Sequence, residues 1–192
     1  MRKSREEAAQ TRKRIVAAAS AAFRRNGIDG TGLADLMGAA GLTHGGFYKH
    51  FASKEQVVEE SLALAIETMV QGIKDTIAAA PGKTGLDDAI TDYLSPEYRD
   101  NLAGGCPFVA LGSDVARGGD AVRDVATSGF LGLVDTIAGQ LKGLSPADAR
   151  NQALVMLSTM IGAVTIARFV SDPALSDTVL RQAREHLTKS SR

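Results

Sequence analysis

The run Gly41-Leu42-Thr43-His44-Gly45-Gly46-Phe47-Tyr48-Lys49-His50-Phe51-Ala52-Ser53-Lys54-Glu55 joins two stretches of strongly helical character. If it is itself helical, Phe47 and Phe51, four apart, share a buried face, and His44 and Tyr48, also four apart, share the opposite one. Thr43 stands at a capping position before them. Gly45 and Gly46 each lower helix stability by roughly 1 kcal/mol relative to alanine. They also remove every side chain that would hold the backbone away from an outside surface. The alternative is that Gly45-Gly46 is a loop and the helix begins at Phe47. Ser53-Lys54-Glu55-Gln56 has the form of a capping box and opens another helix.

Upstream, Leu33, Leu36, Met37 and Ala40 follow the i, i+3, i+4, i+7 pattern, with Thr31 as the expected N-cap and Gly41 as the stop. Before that, Ile15, Ala19, Ala22 and Phe23 mark one face of a helix whose remainder carries Arg12, Lys13, Arg24 and Arg25, and Asn26-Gly27 ends it. Downstream, Val58, Leu62, Ala65, Met69, Ile73 and Ile77 form the buried stripe of a long fourth helix that ends before Pro81-Gly82. Further helices are expected at about Leu86–Leu94, Phe108–Ala116 and Ala121–Lys142, the last with Val122, Ala126, Gly129, Leu133 and Ile137 inward. Ser95 to Pro107 reads as irregular. Ser145-Pro146, a cap followed by proline at the first helical position, starts a helix to about Phe169. Asp172-Pro173 restarts the chain for a last one bearing Leu175, Val179, Ala183 and Leu187. No alternating strand pattern and no internal repeat competes. The expected fold is all-α with about nine helices.

The chain has 192 residues with no net charge, yet the charge is uneven. Residues 1–54 hold ten Lys and Arg against four acids, and residues 55–192 hold twelve against eighteen. A basic head on an acidic body points to a polyanionic partner for the head, although most charge runs are solvated faces. The single cysteine, Cys106, excludes an intramolecular disulfide and fits a reducing compartment. The charged start, Met1-Arg2-Lys3-Ser4-Arg5-Glu6-Glu7, is not a secretory signal. Asn151 to Ala167 is uncharged but interrupted by polar residues, and reads as a doubly buried helix rather than a membrane span. A soluble, cytoplasmic protein is expected.

Enzymatic chemistry finds little to stand on. The three histidines are His44, His50 and His186. There is no Glu-x-x-His pair, no phosphate-binding glycine loop and no Gly-x-Ser-x-Gly elbow. No catalytic residue, metal ligand or cofactor is assigned. What the spacing does offer, over about residues 31–50, is two short helices joined by a glycine-containing turn, the helix-turn-helix arrangement in which the second helix enters the major groove.

The quoted run, with Phe-Tyr-Lys-His-Phe-x-Ser-Lys-Glu at its centre, resembles the signature of TetR-type transcriptional repressors, and the resemblance extends over about residues 11–66. Gly32 departs from it, where many relatives carry a residue better suited to a helix start. The resemblance implies a DNA-binding domain over 1–54 and a ligand-binding and dimerisation domain over 55–192. It implies a homodimer that binds a palindromic operator and leaves it when a small molecule enters the body. By the same resemblance Thr43, His44, Gly45 and Gly46 lie at the floor of the major groove, and Tyr48, His50 and Lys54 contact phosphates. Lys49 reaches either, and Thr31 anchors the second helix on the DNA backbone. The arm Arg2-Lys3-Ser4-Arg5 can add phosphate or minor-groove contacts, or be only a tail.

In the body, the helix at about 147–169 is apolar nearly all round and must be covered on every side. The resemblance pairs it, with the helix at about 173–188, against the same helices of a second subunit. The rival is a central core helix in a monomer. A pocket for an apolar or amphipathic inducer is expected between the long fourth helix and the helices from Leu86 to Lys142. Its candidate lining is Met69, Tyr93, Tyr98, Cys106, Phe108, Phe130 and Met160, residues that are equally suited to plain core. Cys106, between Gly104-Gly105 and Pro107, is either a thiol sensor of electrophiles or oxidants, or an inert buried residue, the commoner case. Asp114 and Arg117 form a structural pair at i, i+3. The remaining rival is a helical small-molecule carrier with no specific DNA binding.

Overall fold

The computed structural model describes residues 5–80 and 83–190. They form nine α-helices and one 3-10 helix, with no strand among the described residues. Arg2-Lys3-Ser4 of the basic arm and Pro81-Gly82 lie outside the described residues. Arg5 is the first residue of α1 (Arg5–Asn26).

α1 ends as its sequence demands. Gly27 takes φ 79° and its N–H donates to the Phe23 carbonyl at 2.8 Å, the left-handed cap that glycine adopts without a Cβ penalty. α2 (Leu33–Ala39) starts one residue later than expected. Its N-cap is Gly32, whose N–H donates to Asp35 Oδ2 at 3.2 Å. Thr31, the expected cap, is instead buried and donates its hydroxyl to the Gly27 carbonyl at 2.8 Å. The segment expected as a third α-helix is a 3-10 helix, His44–Lys49, and the Thr43 side chain caps nothing. Six residues with two adjacent glycines cannot offset the cost of nucleating an α-helix. The segment is held instead by Phe47 and Phe51, buried to 0% and 2% exposure.

Ser53 opens the long helix, α3 (Lys54–Ala79), by accepting the Gln56 N–H at 3.1 Å. The Gln56 side chain returns to the N–H of Ala52 at 2.9 Å, one residue upstream of the usual capping box. α3 runs through two cores. Val57, Val58, Leu62 and Ile66 join α1, α2 and the 3-10 segment, and Met69 and Ile73 belong to the body.

The body comprises α4 (Lys83–Tyr93), α5 (Pro96–Asp100), α6 (Pro107–Arg117), α7 (Asp120–Ala138), α8 (Pro146–Phe169) and α9 (Pro173–Ser190). α5 lies inside the stretch expected to be irregular. Its cap is Ser95, which accepts the Tyr98 N–H at 3.1 Å, with proline at the next position. Arg99 then ties α5 to α9 through Ser176 Oγ at 2.8 Å and Asp177 Oδ1 at 2.9 Å. α7 ends at Ala138 rather than Lys142, with Gly139 as C-cap. It crosses α3 closely at Gly129, where a Cβ would meet Ile66 Cγ2 at 2.6 Å.

Candidate nucleic-acid interface and effector cleft

The 3-10 segment divides cleanly into two faces. Phe47 faces inward against Phe51, with ring centroids 5.6 Å apart. Thr43, His44, Gly45, Tyr48 and Lys49 are exposed, Tyr48 to 68%. Gly46 is half-buried above Met37, whose Cε a Cβ would meet at 3.4 Å. His50 is half-buried, and its carbonyl accepts a hydrogen bond from Arg12 Nη1.

Two of the expected DNA contacts have their side chains committed elsewhere. The Thr31 hydroxyl is turned into the core toward Gly27, so it offers nothing to a phosphate. Lys54 donates its ammonium to the Ile28 carbonyl at 2.7 Å, 6.0 Å from the Phe23 ring centroid. What remains for a phosphate beside Lys54 is the first turn of α3, where Ser53 has taken the Gln56 N–H and those of Lys54 and Glu55 have no intrahelical partner.

Arg12 locks the far end of the segment in place. Besides the His50 carbonyl, its guanidinium meets the Glu60 carboxylate, with Nε to Oε2 at 3.2 Å, and lies 4.1 Å from the Phe51 ring centroid. One side chain thus joins α1, the end of the 3-10 segment and α3. The head is also tied to the body. The Ile28 N–H donates to Asp114 Oδ2 at 3.3 Å, while Arg117 donates to Asp114 Oδ1 at 2.7 Å. Arg24 donates to the Gly105 carbonyl at 3.0 Å.

In the body, a cleft of about 240 Å³ opens between α3 and α4, lined by Met69, Ile73, Ala89, Tyr93, Tyr98 and Gly104 among others. The rings of Tyr93 and Tyr98 lie 4.6 Å apart by centroid. Their buried hydroxyls have no hydrogen-bond partner of normal geometry, and neither does Arg168 Nη2. Cys106 is wholly buried close to them. Burial pushes its thiol upward from the ordinary value, outweighing contacts with Tyr93 and nearby backbone N–H groups that act the other way. It is therefore a neutral thiol at physiological pH. Phe108 and Phe130 pack edge to face at 5.6 Å between α6 and α7, and Met160 is buried core. Of the expected lining residues, Met69, Tyr93 and Tyr98 line this cleft and Cys106 is buried beside the two tyrosines, while half-buried Phe108 and Phe130 and buried Met160 are not on this cleft.

Residues 15–61 match the family model for bacterial regulatory proteins of the tetR family. The chain is 41% identical over 68 residues to the HTH-type transcriptional regulator TtgR of Pseudomonas putida, a match covering 35% of this chain and about a third, 32%, of TtgR. It is 27% identical over 184 residues to the HTH-type transcriptional regulator Rv0196 of Mycobacterium tuberculosis, covering 92% of this chain and 93% of that one. A crystal structure of a TetR transcriptional regulator from Chloroflexus aurantiacus superposes with a TM-score of 0.78 at 27% identity, over 96% of this chain and 95% of that one. Over residues 15–61 the chain is thus similar to regulators of the tetR family. The proteins it resembles are described as transcriptional regulators.

Three residues that the fold shows to matter were not legible in the sequence. In the sequence Arg12 is one of several charges on the outer side of α1. Only the fold reveals that His50 and Glu60 converge on it. Arg24 is another, and nothing in the sequence shows that it reaches Gly105. Arg168 did leave a signal, as the only charge on α8 between Arg150 and Val170. A lone arginine on so apolar a helix needs a buried reason.

Proposed function

We propose that this chain is a ligand-responsive transcriptional repressor that binds a palindromic operator as a homodimer and is released by a small apolar or amphipathic inducer. Residues 1–54 form the DNA-binding domain, and residues 55–192 the effector and dimerisation domain, in the cytoplasm. The observation that carries this reading is the 3-10 segment. It presents Thr43, His44, Tyr48 and Lys49 outward around an open glycine, on a base fixed by Phe47, Phe51 and Arg12. In this reading Thr43, His44 and Lys49 reach base edges, while Tyr48, the His50 region and the first turn of α3 hold phosphates.

Dimerisation is supported by α8. Leu154, Val155, Ile166 and Phe169 are exposed along one of its sides, Val155 to 64% and Phe169 to 70%. The helix is long and apolar enough by composition to cross a membrane, yet this open side lies opposite a face packed into the body. A second copy covering the open side gives α8 the full enclosure its composition requires. Effector binding beside α3 would tilt that helix and change the spacing of the two heads, so that they no longer match successive major grooves. The buried, neutral state of Cys106 favours an inert core residue over a thiol sensor.

Fluorescence anisotropy on DNA flanking the protein's own gene, against scrambled DNA over a salt series, tests the reading. A preference of about a thousandfold with a steep salt slope is expected. Weak binding without preference, there and in a selection from sheared genomic DNA, would leave the carrier as the better account.

A further inference from the structure

Buried donors without acceptors are rare in a folded chain, because each forfeits hydrogen bonds it made to water. Here three lie together where α4, α5 and the segment before α6 meet the end of α8: the hydroxyls of Tyr93 and Tyr98, and Arg168 Nη2. Tyr93 is only 3% exposed. Both phenols line the cleft between α3 and α4, whose other walls, including Met69, Ile73 and Ala89, are largely apolar.

The cations around this group are Arg168 and Arg24, with the exposed carboxylate of Asp100 on the solvent side of Arg168. Arg168 is fixed by its Nε, which donates to the Arg99 carbonyl at 2.9 Å, leaving Nη2 against Gly105, where a Cβ would stand 2.9 Å away. Arg24 reaches the other side of the same residue through the Gly105 carbonyl. The one carboxylate at the cleft is Asp92, exposed at its mouth. A site with apolar walls, the unpartnered Tyr98 hydroxyl, a Tyr93 hydroxyl with only a thiol beside it and two guanidinium groups nearby suits an acceptor that carries negative charge. At about 240 Å³ it is smaller than the ~300–1,000 Å³ typical of drug-sized pockets.

We infer that this cleft binds a small apolar acid, its hydrocarbon part against Met69 and Ile73 and its carboxylate accepting from the hydroxyls of Tyr93 and Tyr98 in the field of Arg168 and Arg24. The inference rests on the ligand-responsive reading for its consequence, since it assigns a charge to the inducer, but the binding itself does not depend on DNA.

Calorimetric titration of the full chain without DNA tests it, using hexanoate, octanoate and cyclohexanecarboxylate, each against its corresponding alcohol. The acids are expected to bind at least tenfold more tightly than the alcohols. Tyr98→Phe and Arg168→Met should each remove most of that difference while leaving the alcohols unchanged. Because neither phenol hydroxyl has a partner of normal geometry, Tyr93 having only the Cys106 thiol beside it, Tyr93→Phe and Tyr98→Phe should leave the Tm of the free protein unchanged or raised, which keeps the test open should Arg168→Met fold poorly. Acids and alcohols binding alike, or no acid binding, would overturn the inference. So would a clear fall in Tm for both phenylalanine variants, which would show that bound water already satisfies the hydroxyls. Acids that bind yet leave operator DNA bound would uphold the site and count instead against the ligand-responsive reading.

Discussion

Gly45 has a backbone conformation open to any residue, and nothing in the chain lies within 4 Å of where its Cβ would be. Nothing inside the molecule therefore requires glycine there, whereas Gly27 is held to glycine by its positive φ. Gly45→Ala should leave the fold as stable, or more stable by roughly 0.5–1 kcal/mol. It should weaken operator binding by about tenfold, equivalent to ~1.4 kcal/mol, because the methyl group holds the segment off the groove. Melting and anisotropy on the same preparation check this, and unchanged DNA affinity would remove Gly45 from the interface. On the same surface, Tyr48→Phe should weaken binding to all sequences alike, whereas Thr43→Ala should relax discrimination. Deeper in, burial pushes the ionisations of Tyr93, Tyr98 and Cys106 upward, so each favours the neutral form in the folded chain. Unfolded, a thiol and a phenol titrate near about 8.5 and 10. Above those values the unfolded chain binds fewer protons than the folded one, so stability falls as pH rises. Urea midpoints should be level from pH 7 to 8 and decline past about pH 9, and a level midpoint at pH 10.5 would mean that these groups reach solvent.

At the scale of elements, the helices that announce their ends were legible in the sequence. Ser145-Pro146, Asn26-Gly27 and Ser53 each supply the cap their helix uses. Ser95-Pro96 is the same signal as Ser145-Pro146, and α5 begins there. It passed for irregular chain because a single turn shows no apolar period. The 3-10 form of His44–Lys49 was not legible, since side-chain spacing over six residues scarcely separates 3.0 from 3.6 residues per turn. In the cleft, Met69, Tyr93 and Tyr98 could be picked out by chemistry, but Phe108, Phe130 and Met160 look the same in sequence and do not line it. Only the packing separates the two groups. Arg12 shows what long-range convergence adds, and it makes a prediction about elements. Arg12→Ala should cost the head about 1 kcal/mol through lost hydrogen bonds, and free the end of the 3-10 segment. Arg12→Lys should not restore binding, because an ammonium cannot serve the His50 carbonyl, Glu60 and the Phe51 face at once. Operator affinity should fall with an unchanged salt slope, since Arg12 touches no phosphate in this reading. A slope reduced by about one would instead make Arg12 a DNA contact.

Across the whole molecule, the head is attached to the body by α3, by an apolar core it shares with Leu111, Val122 and Ala126 of α6 and α7, and by two polar contacts, Asp114 to the Ile28 N–H and Arg24 to the Gly105 carbonyl. The second of these adjoins the Tyr98, Cys106 and Arg168 group, so a change at the cleft has a short path to α1. That path can regulate DNA binding only if two heads are held at a fixed spacing, which a monomer cannot do. The test therefore falls on the open side of α8. Val155 is 64% exposed in the single chain, so Val155→Asp removes little packing from it and should change its stability by no more than about 0.5 kcal/mol. In a dimer the same aspartate would be buried without a partner across the interface, at a cost of several kcal/mol, counted once per subunit. Sedimentation should give a dimer for the parent chain and a monomer for Val155→Asp at micromolar concentration. Binding to a full palindrome should then fall toward the affinity for a single half-site, while circular dichroism stays helical. If Val155→Asp still sedimented as a dimer, the subunits would meet elsewhere, and the exposed residues of α8 would need another cover.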